Sequence, residues 1–428
     1  MNRLTSHEPK YPCMKRLMTR GTFYDVGYNV GLNFSQSIKL YFAESDNFQD
    51  QVLPFYDSQA GRDFHDKNLR VCQDCFPQYV REIRGISDGA GISFEHIFLE
   101  NVSGEVNMIL KTQKQPEEPK QKPKSNRENN ENKQSQSQAI DENLDQSSPV
   151  QASELSSDPV SPISHLDSVG CSDLLINRPG QQLMIHNEDG YPMTKRYGYL
   201  LSAEIEEDGL KEQFTSFCCP GGLPGYCWSF NAHGLANSID LMCPTQVVQE
   251  SPGRQFICRA LLRARDVKDA VKIVQNTPYG VAYGFCANIS TKAGRMASVE
   301  VAPGQSQGLV HVHDIKQQTD PDAPCHYYHF NLHKHLTEVP ELKEGTSSVH
   351  RTKRVEELPP PRTRLQALTV MADTHDQIRP IFRTPRPTDL AETVNTALFD
   401  VTARQVLVYQ GREDLLSDTP FAKLPMYQ

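Results

Sequence analysis

A chain of 428 residues with a formal net charge of −9 has room for a large layered core and carries no basic field suited to nucleic acid or an anionic membrane. No apolar run approaches the length of a bilayer span, and the amino-terminal "MNRLTSHEPKYPCMKRLMTRGTF" lacks the apolar stretch of a secretory signal. A cytoplasmic protein with no nucleic-acid or membrane partner is expected, and its eleven cysteines read as free thiols, buried in the cases of Cys258 and Cys286.

Residues 20–110 read as compact and helical. "FYDVGYNVGLNFSQSIKLYF" repeats apolar residues at helical spacing, and "CFPQYVREIRGISDGAGISFEHIFLENV" reads as a helix, a Gly-rich break at Asp88–Gly91, and a second helix starting near Ser93. The composition then changes. Residues 112–167 contain no aromatic residue and few large apolar ones, too little to offset the entropy of ordering them, so a long disordered insert is expected there. The predicted parts are therefore 1–111, the insert 112–167, and 168–428.

The third part is β-rich. "CSDLLINR" and "QQLMIHNE" flank Pro179-Gly180 as a hairpin would. "YGYLLSAEIEE", "FTSFCC" and "HGLANSIDLM" read as further strands, "RQFICRALLRARDVKDAVKIVQ" as two amphipathic helices, and "VAYGFCANIST" with "RMASVEVAP" as strands again. "TVNTALFDVTARQVLVYQG" reads as a last hairpin turning at Thr402–Arg404. Helices, insert, strands, helices and strands in that order fit a layered α+β protein with antiparallel sheets rather than repeated βαβ units.

The first β segment opens on Gly170-Cys171. A cysteine at a strand start is ordinarily a small buried thiol. Here it follows a stretch of polar chain, and chemistry allows more. If the Gly170-Cys171 bond is cut, Cys171 gains a free α-amine with a pKa of about 7.7–8, able to take the proton from its own thiol. Glycine before it gives the backbone freedom for self-cleavage.

"GCSDLLINRPGQQLMIHNEDG" resembles the start of the nucleophile-bearing chain in the acyl-coenzyme A:6-aminopenicillanate acyltransferase family. The likeness continues through "IRGISDGAGISFEHIFLENVSGE", "GGLPGYCWSFNAHGLANSIDLM", "RQFICRALLRARDVKDAVKIV", "RMASVEVAP" and "YYHFNLHKHL", where Phe330 stands in place of the family's threonine. The resemblance implies a four-layer αββα N-terminal-nucleophile sandwich with two antiparallel sheets. It implies cleavage between Gly170 and Cys171, with the two fragments remaining associated. Cys171 is then the nucleophile, and Asp189, eighteen residues on, helps hold the amine or align the thiol. Asn331 takes the place of the family asparagine whose amide contributes to the oxyanion hole. "TDLAETVNTALFD" lacks the arginine the family carries there; Arg383 and Arg386 lie upstream, and neither is assigned a role.

A dense histidine run (His311, His313, His326, His329, His333 and His335, with Cys325) raises a metal hypothesis. It lacks the paired ligand spacing of zinc sites, and no metal or cofactor is expected. The activity that the resemblance implies is hydrolysis of a small N-acyl amine, such as a β-alanyl amine, through a thioester. Transfer from an acyl-thioester donor is the second reading, and a non-catalytic homologue acting as a binding protein the third.

Overall fold

The computed structural model describes residues 14–114, 170–320, 323–324, 326–342, 346–386 and 389–426. The first segment holds β1 (Lys15–Gly21), α1 (Phe23–Glu44), α2 (Leu53–Asp57, entered through a π-helical stretch), α3 (Gln59–Cys75), α4 (Pro77–Ala90), α5 (Phe94–Glu100) and α6 (Ser103–Lys114). The segment predicted as an insert thus begins inside α6, and the rest of it lies outside the described residues. After Gly170 come β2 (Gly170–Arg178), β3 (Gln181–Gly190), α7 (Pro192–Tyr197), β4 (Tyr199–Glu207), β5 (Leu210–Cys218), β6 (Trp228–Asn231) and β7 (Leu235–Leu241). Two helices follow, α8 (Arg254–Leu261) and α9 (Val267–Gln275), then β8 (Phe285–Thr291), β9 (Met296–Ala302), β10 (Leu309–Asp314) and β11 (His326–His329). The chain closes with α10 (Ser347–Glu357), α11 (Arg364–Met371), β12 (Glu392–Asp400), β13 (Gln405–Tyr409), α12 (Arg412–Leu416) and β14 (Ala422–Pro425).

These strands form two sheets, one of eight strands in the order β1-β4-β5-β6-β7-β8-β9-β10 and one of six in the order β11-β2-β3-β12-β13-β14. Every pairing is antiparallel except β1 with β4, so the larger sheet is mixed at one edge. Three cores set the layers. Val26, Val30, Phe34, Ile83 and Phe256 pack helices onto the outer face of the larger sheet. Leu175, Met184, Phe217, Trp228 and Phe399 fill the space between the sheets. Leu174, Ile176, Ile185, Leu368 and Leu415 join the smaller sheet to α10–α12. The result is an αββα sandwich, as the sequence led one to expect. Among the described residues no helix is long and apolar enough to cross a membrane.

The predicted break between the two helices is present but starts later than Asp88. α4 runs through Ala90 and ends only at Gly91, which takes φ +66°. Gly85 and Gly89 instead let α1 approach closely: a Cβ on them would stand 2.2 Å from the carbonyl oxygens of Tyr24 and Tyr28. On the facing helix, Gly27 and Gly31 meet Glu82 O and Ile86 O at 2.0 and 2.3 Å in the same way.

One buried ion cluster ties the amino-terminal helices to the β-rich part. Arg259 of α8 is fully buried and bonds Glu82 of α4 (2.8 Å) and Glu212 of β5 (2.6 Å), beneath the ring of Tyr79. Arg259→Ala strands two buried carboxylates, and urea unfolding should show a loss of about 3–5 kcal/mol. Burial pushes Glu82 up to about 7 despite the guanidinium, whose removal raises it further. A carboxyl raised in the folded state binds a proton that the unfolded chain has shed above its ordinary value, so its contribution falls as pH rises through 7. The loss should therefore be larger at pH 8 than at pH 5.5, and a pH-independent or negligible loss would contradict this account.

Candidate active site

The two-residue turn at Pro179-Gly180, with Gly180 at φ +75°, fixes the register of the β2–β3 hairpin. Cys171 then lies opposite Glu188, Asp173 opposite His186, and Gly170 opposite Asp189. Side chains alternate along a strand, so the hairpin sorts its polar residues onto two faces. Cys171, Asp173, His186 and Glu188 share the face of Leu175 and Met184, between the sheets. Gly170, Ser172, Asn187 and Asp189 share the face turned toward α10 and α11.

On the inner face, the Cys171 sulfur, a His186 ring nitrogen and a Glu188 carboxylate oxygen lie within 4.8 Å of one another. His186 Nδ1 meets Asp173 Oδ2 at 2.8 Å and Nε2 meets Glu188 Oε2 at 3.1 Å. Burial opposes a charge on His186, but the two carboxylates outweigh it and hold its pKa well above the ordinary value. Burial also pushes the Cys171 thiol up, with Glu188 adding to the rise and a hydrogen bond with His186 opposing it. His329 repeats the arrangement between Asp240 (2.9 Å) and Glu300 (3.1 Å), and Ser238 donates to Asp173 at 2.6 Å between the two clusters. Metal-ligating atoms do come together here, in Cys171/His186/Glu188, Asp173/His186/Asp240 and Asp240/Cys286/His329. In each group the imidazole already has a carboxylate at both nitrogens, which is the geometry of an imidazolium rather than of a neutral ligand.

The histidine run itself does not converge. His311 and His313 stack on His335 with ring centroids 4.7 and 4.4 Å away, His333 pairs with Glu341 at 2.7 Å, and Cys325 lies outside the described residues.

On the other face, Asn331 and two arginines surround the Gly170-Cys171 link. The Cys171 N–H donates to Asn331 Oδ1 at 3.0 Å. Arg351 of α10 donates to the same Oδ1 (2.7 Å), to Ser172 Oγ (2.8 Å) and to the Cys171 carbonyl. The Asn331 Nδ2 is taken by the Leu241 carbonyl at 2.8 Å. Asn331 thus offers Cys171 an acceptor, where the sequence reading expected a donor aimed at a reacting carbonyl. The swapped amide would face Leu241 O with oxygen and Arg351 with nitrogen, so the network fixes its orientation.

Asp189 accepts from Thr393 through Oδ1 (2.7 Å), while its buried Oδ2 makes no hydrogen bond and stands 3.9 Å from Arg351 and 4.0 Å from Arg383. Burial raises Asp189 to about 6 against the pull of the two arginines. Arg383 is fully buried and bonded to Asp389 at 2.9 Å, whereas Arg386 turns away to the carbonyl of Gln377. A Cβ at position 170 would come within 2.9 Å of Asn331 Oδ1 and 3.1 Å of Arg351, so a larger residue there would displace the Asn331 amide and the Arg351 guanidinium.

Cys171 opens into a cavity of about 120 Å³ that both halves of the chain build. Tyr41, Glu100 and Asn107 come from the helices before the insert; Glu188, Tyr191 and Gln255 come from after it. The structure brings Cys171, Asp189 and Asn331, all expected from the sequence, to one place around Arg351. The sequence reading missed His186 and Glu188, although the hairpin register alone places both beside the thiol. It missed Arg351, which no motif marks in the polar "SSVHRTKRVEE".

The model of the acyl-coenzyme A:6-aminopenicillanic acid acyl-transferase family matches residues 176–414, beginning just beyond Cys171. The chain is 27% identical over 432 residues to the beta-alanyl-dopamine/carcinine hydrolase of Drosophila melanogaster, covering 98% of this chain and 97% of that one. Among solved structures it is similar to penicillin V acylase from Agrobacterium tumefaciens (14% identity, TM-score 0.34, 56% of this chain and 83% of that one). It is also similar to a mutant form of conjugated bile acid hydrolase from Clostridium perfringens (14% identity, TM-score 0.30, 56% and 89%). The family match spans more than half of the 428 residues, and the chain is a member of the acyl-coenzyme A:6-aminopenicillanic acid acyl-transferase family, enzymes acting on acyl amines.

Proposed function

We propose that the chain cuts itself before Cys171 and that the freed cysteine hydrolyses small N-acyl amines of the β-alanyl type. One observation carries this: the Cys171 thiol opens into the cavity while its nitrogen, on the other side of the strand, is held by Asn331 beside the unbonded Asp189 Oδ2. In the first stage the sulfur adds to the Gly170 carbonyl. The C–N bond breaks, the nitrogen takes the thiol proton, and Gly170 is left as a thioester. Water then releases the Gly170 carboxylate and a Cys171 with free thiol and free amine.

In turnover that amine takes the thiol proton as sulfur attacks the substrate carbonyl, and returns it to the leaving amine. Water discharges the acyl thioester. Asn331 Oδ1 and Asp189 Oδ2 are acceptors suited to the amine in its protonated form, and Arg351 keeps both in place. The two fragments stay together, since Arg259 and the core under the larger sheet join residues from either side of the cut. The substrate class follows the Drosophila relative, which matches this chain nearly end to end.

Intact-mass measurement of the purified protein should find two fragments, the second beginning at Cys171. Incubation with β-alanyltyramine should release tyramine and β-alanine, and added hydroxylamine should divert part of the acyl group to the hydroxamate. An uncut chain with no amine release would end this reading. Hydroxamate without any free acid would turn it toward acyl transfer.

A further inference from the structure

Buried carboxylates in this chain come with cations. Glu82 and Glu212 share Arg259, Asp173 and Glu188 share His186, and Asp240 and Glu300 share His329. Asp189 stands between Arg351 and Arg383, Asp389 pairs with Arg383, and Glu105 faces Arg254. Glu100 breaks the rule. It is 8% exposed, and among the described residues no lysine, arginine or histidine pairs with it. Its carboxylate receives one hydrogen bond, from the Tyr41 hydroxyl at 3.0 Å. The arginine lining the same cavity, Arg254, is occupied with Tyr226, with the carbonyls of Met242 and Gly284, and with Glu105.

A second observation points the same way. Gln255 lines the cavity next to Glu100, its Nε2 reaching the Glu100 carbonyl at 3.4 Å, and its Oε1 is buried without a partner. Asn47 Oδ1, also on the cavity wall, is another buried acceptor with no donor. A carboxylate lacking its cation and two acceptors lacking donors all belong to the cavity that holds the nucleophile.

We propose that Glu100, with Gln255 Oε1 beside it, seats a primary ammonium carried by the acyl part of the substrate, and so selects ω-aminoacyl amines over plain acyl amines. This rests on the reading of the cavity as an acyl-amine site. An ammonium has three donors and one positive charge, which meets both the uncompensated carboxyl and the idle acceptors. Burial lifts Glu100 to about 8, so near neutrality the empty site holds mostly the uncharged acid, and an arriving ammonium favours its ionisation. A substrate with a methyl in place of the ammonium leaves those groups unmatched, which is how a polar site rejects an apolar analogue.

Binding tests this without requiring turnover. β-Alanyltyramine and propionyltyramine, which differ by the ammonium, are titrated calorimetrically into the full chain carrying Cys171→Ala, with Glu or Gln at position 100. With Glu100 the β-alanyl compound should bind tighter by about 10- to 100-fold. Glu100→Gln should erase that preference while propionyltyramine still binds, which also shows that the variant is folded. Equal affinity for the two compounds with Glu100 in place, a preference that survives Glu100→Gln, or binding of neither compound would each overturn the assignment. Release of tyramine by the wild-type chain, measured separately, decides the hydrolase reading, so the two can fail independently.

Discussion

Replacing Cys171 with alanine should leave one uncut chain and lower turnover by about a million-fold, the scale on which removing a catalytic nucleophile acts. The size of the effect follows from the site having no second candidate among the described residues. Cys219, Cys227 and Cys243 also line the cavity, but none of them begins a strand after a glycine fenced by Asn331 and two arginines. A hydrogen bond with Cys219, together with burial, pushes Cys227 up, burial pushes Cys243 up, and neither can gain a free α-amine as its base. The alanine chain should still fold, because removing one sulfur from the wall of an existing cavity opens little new void. Its melting temperature separates lost chemistry from lost structure. An uncut wild type together with full activity in Cys171→Ala would remove this residue from the mechanism.

The hairpin that carries Cys171 was legible in the sequence because its turn is marked. Pro179-Gly180 sets a two-residue turn, and strand geometry, in which successive side chains point to opposite faces, then sorts the residues. From those alone one can compute that Cys171 faces Glu188 and that Asp173 faces His186. Other parts were illegible for physical reasons. Gly89 reads as part of a break because glycine weakens an isolated helix, yet the missing Cβ at Gly85 and Gly89 allows the crossing with α1, a tertiary fact. The short basic strand β1 pairs in parallel with β4, a contact far along the chain that no local pattern announces. Arg351 sits in a polar helix and looks like a surface residue until the fold buries it against Ser172 and Asn331. Glu100 closes a short helix and reads as an ordinary helix end. Only the cavity shows that it lacks a cation.

The orientation of Asn331 makes a prediction that the two possible roles of its side chain answer oppositely. If it acts as an acceptor, as its bonds to Cys171 N and Arg351 indicate, Asn331→Asp keeps the essential oxygen and gives it a charge. If it acts as a donor to a developing oxyanion, aspartate replaces that donor with a repelling carboxylate. Asn331→Ala removes both functions. It leaves the Arg351 guanidinium and the Cys171 nitrogen without their shared acceptor, and a lost hydrogen bond to a charged group costs about 1.5–3 kcal/mol. The alanine variant should therefore lose roughly one to two orders of magnitude in kcat and process more slowly, with little change in KM. Aspartate should retain more activity than alanine, since its only loss is the bond to the Leu241 carbonyl, which becomes an oxygen–oxygen contact. The Arg351 guanidinium favours the ionised carboxylate against that contact, so aspartate should keep its advantage over alanine from pH 6 to 8. Aspartate as damaging as alanine at every pH would return Asn331 to the donor role and require its amide to turn over after cleavage.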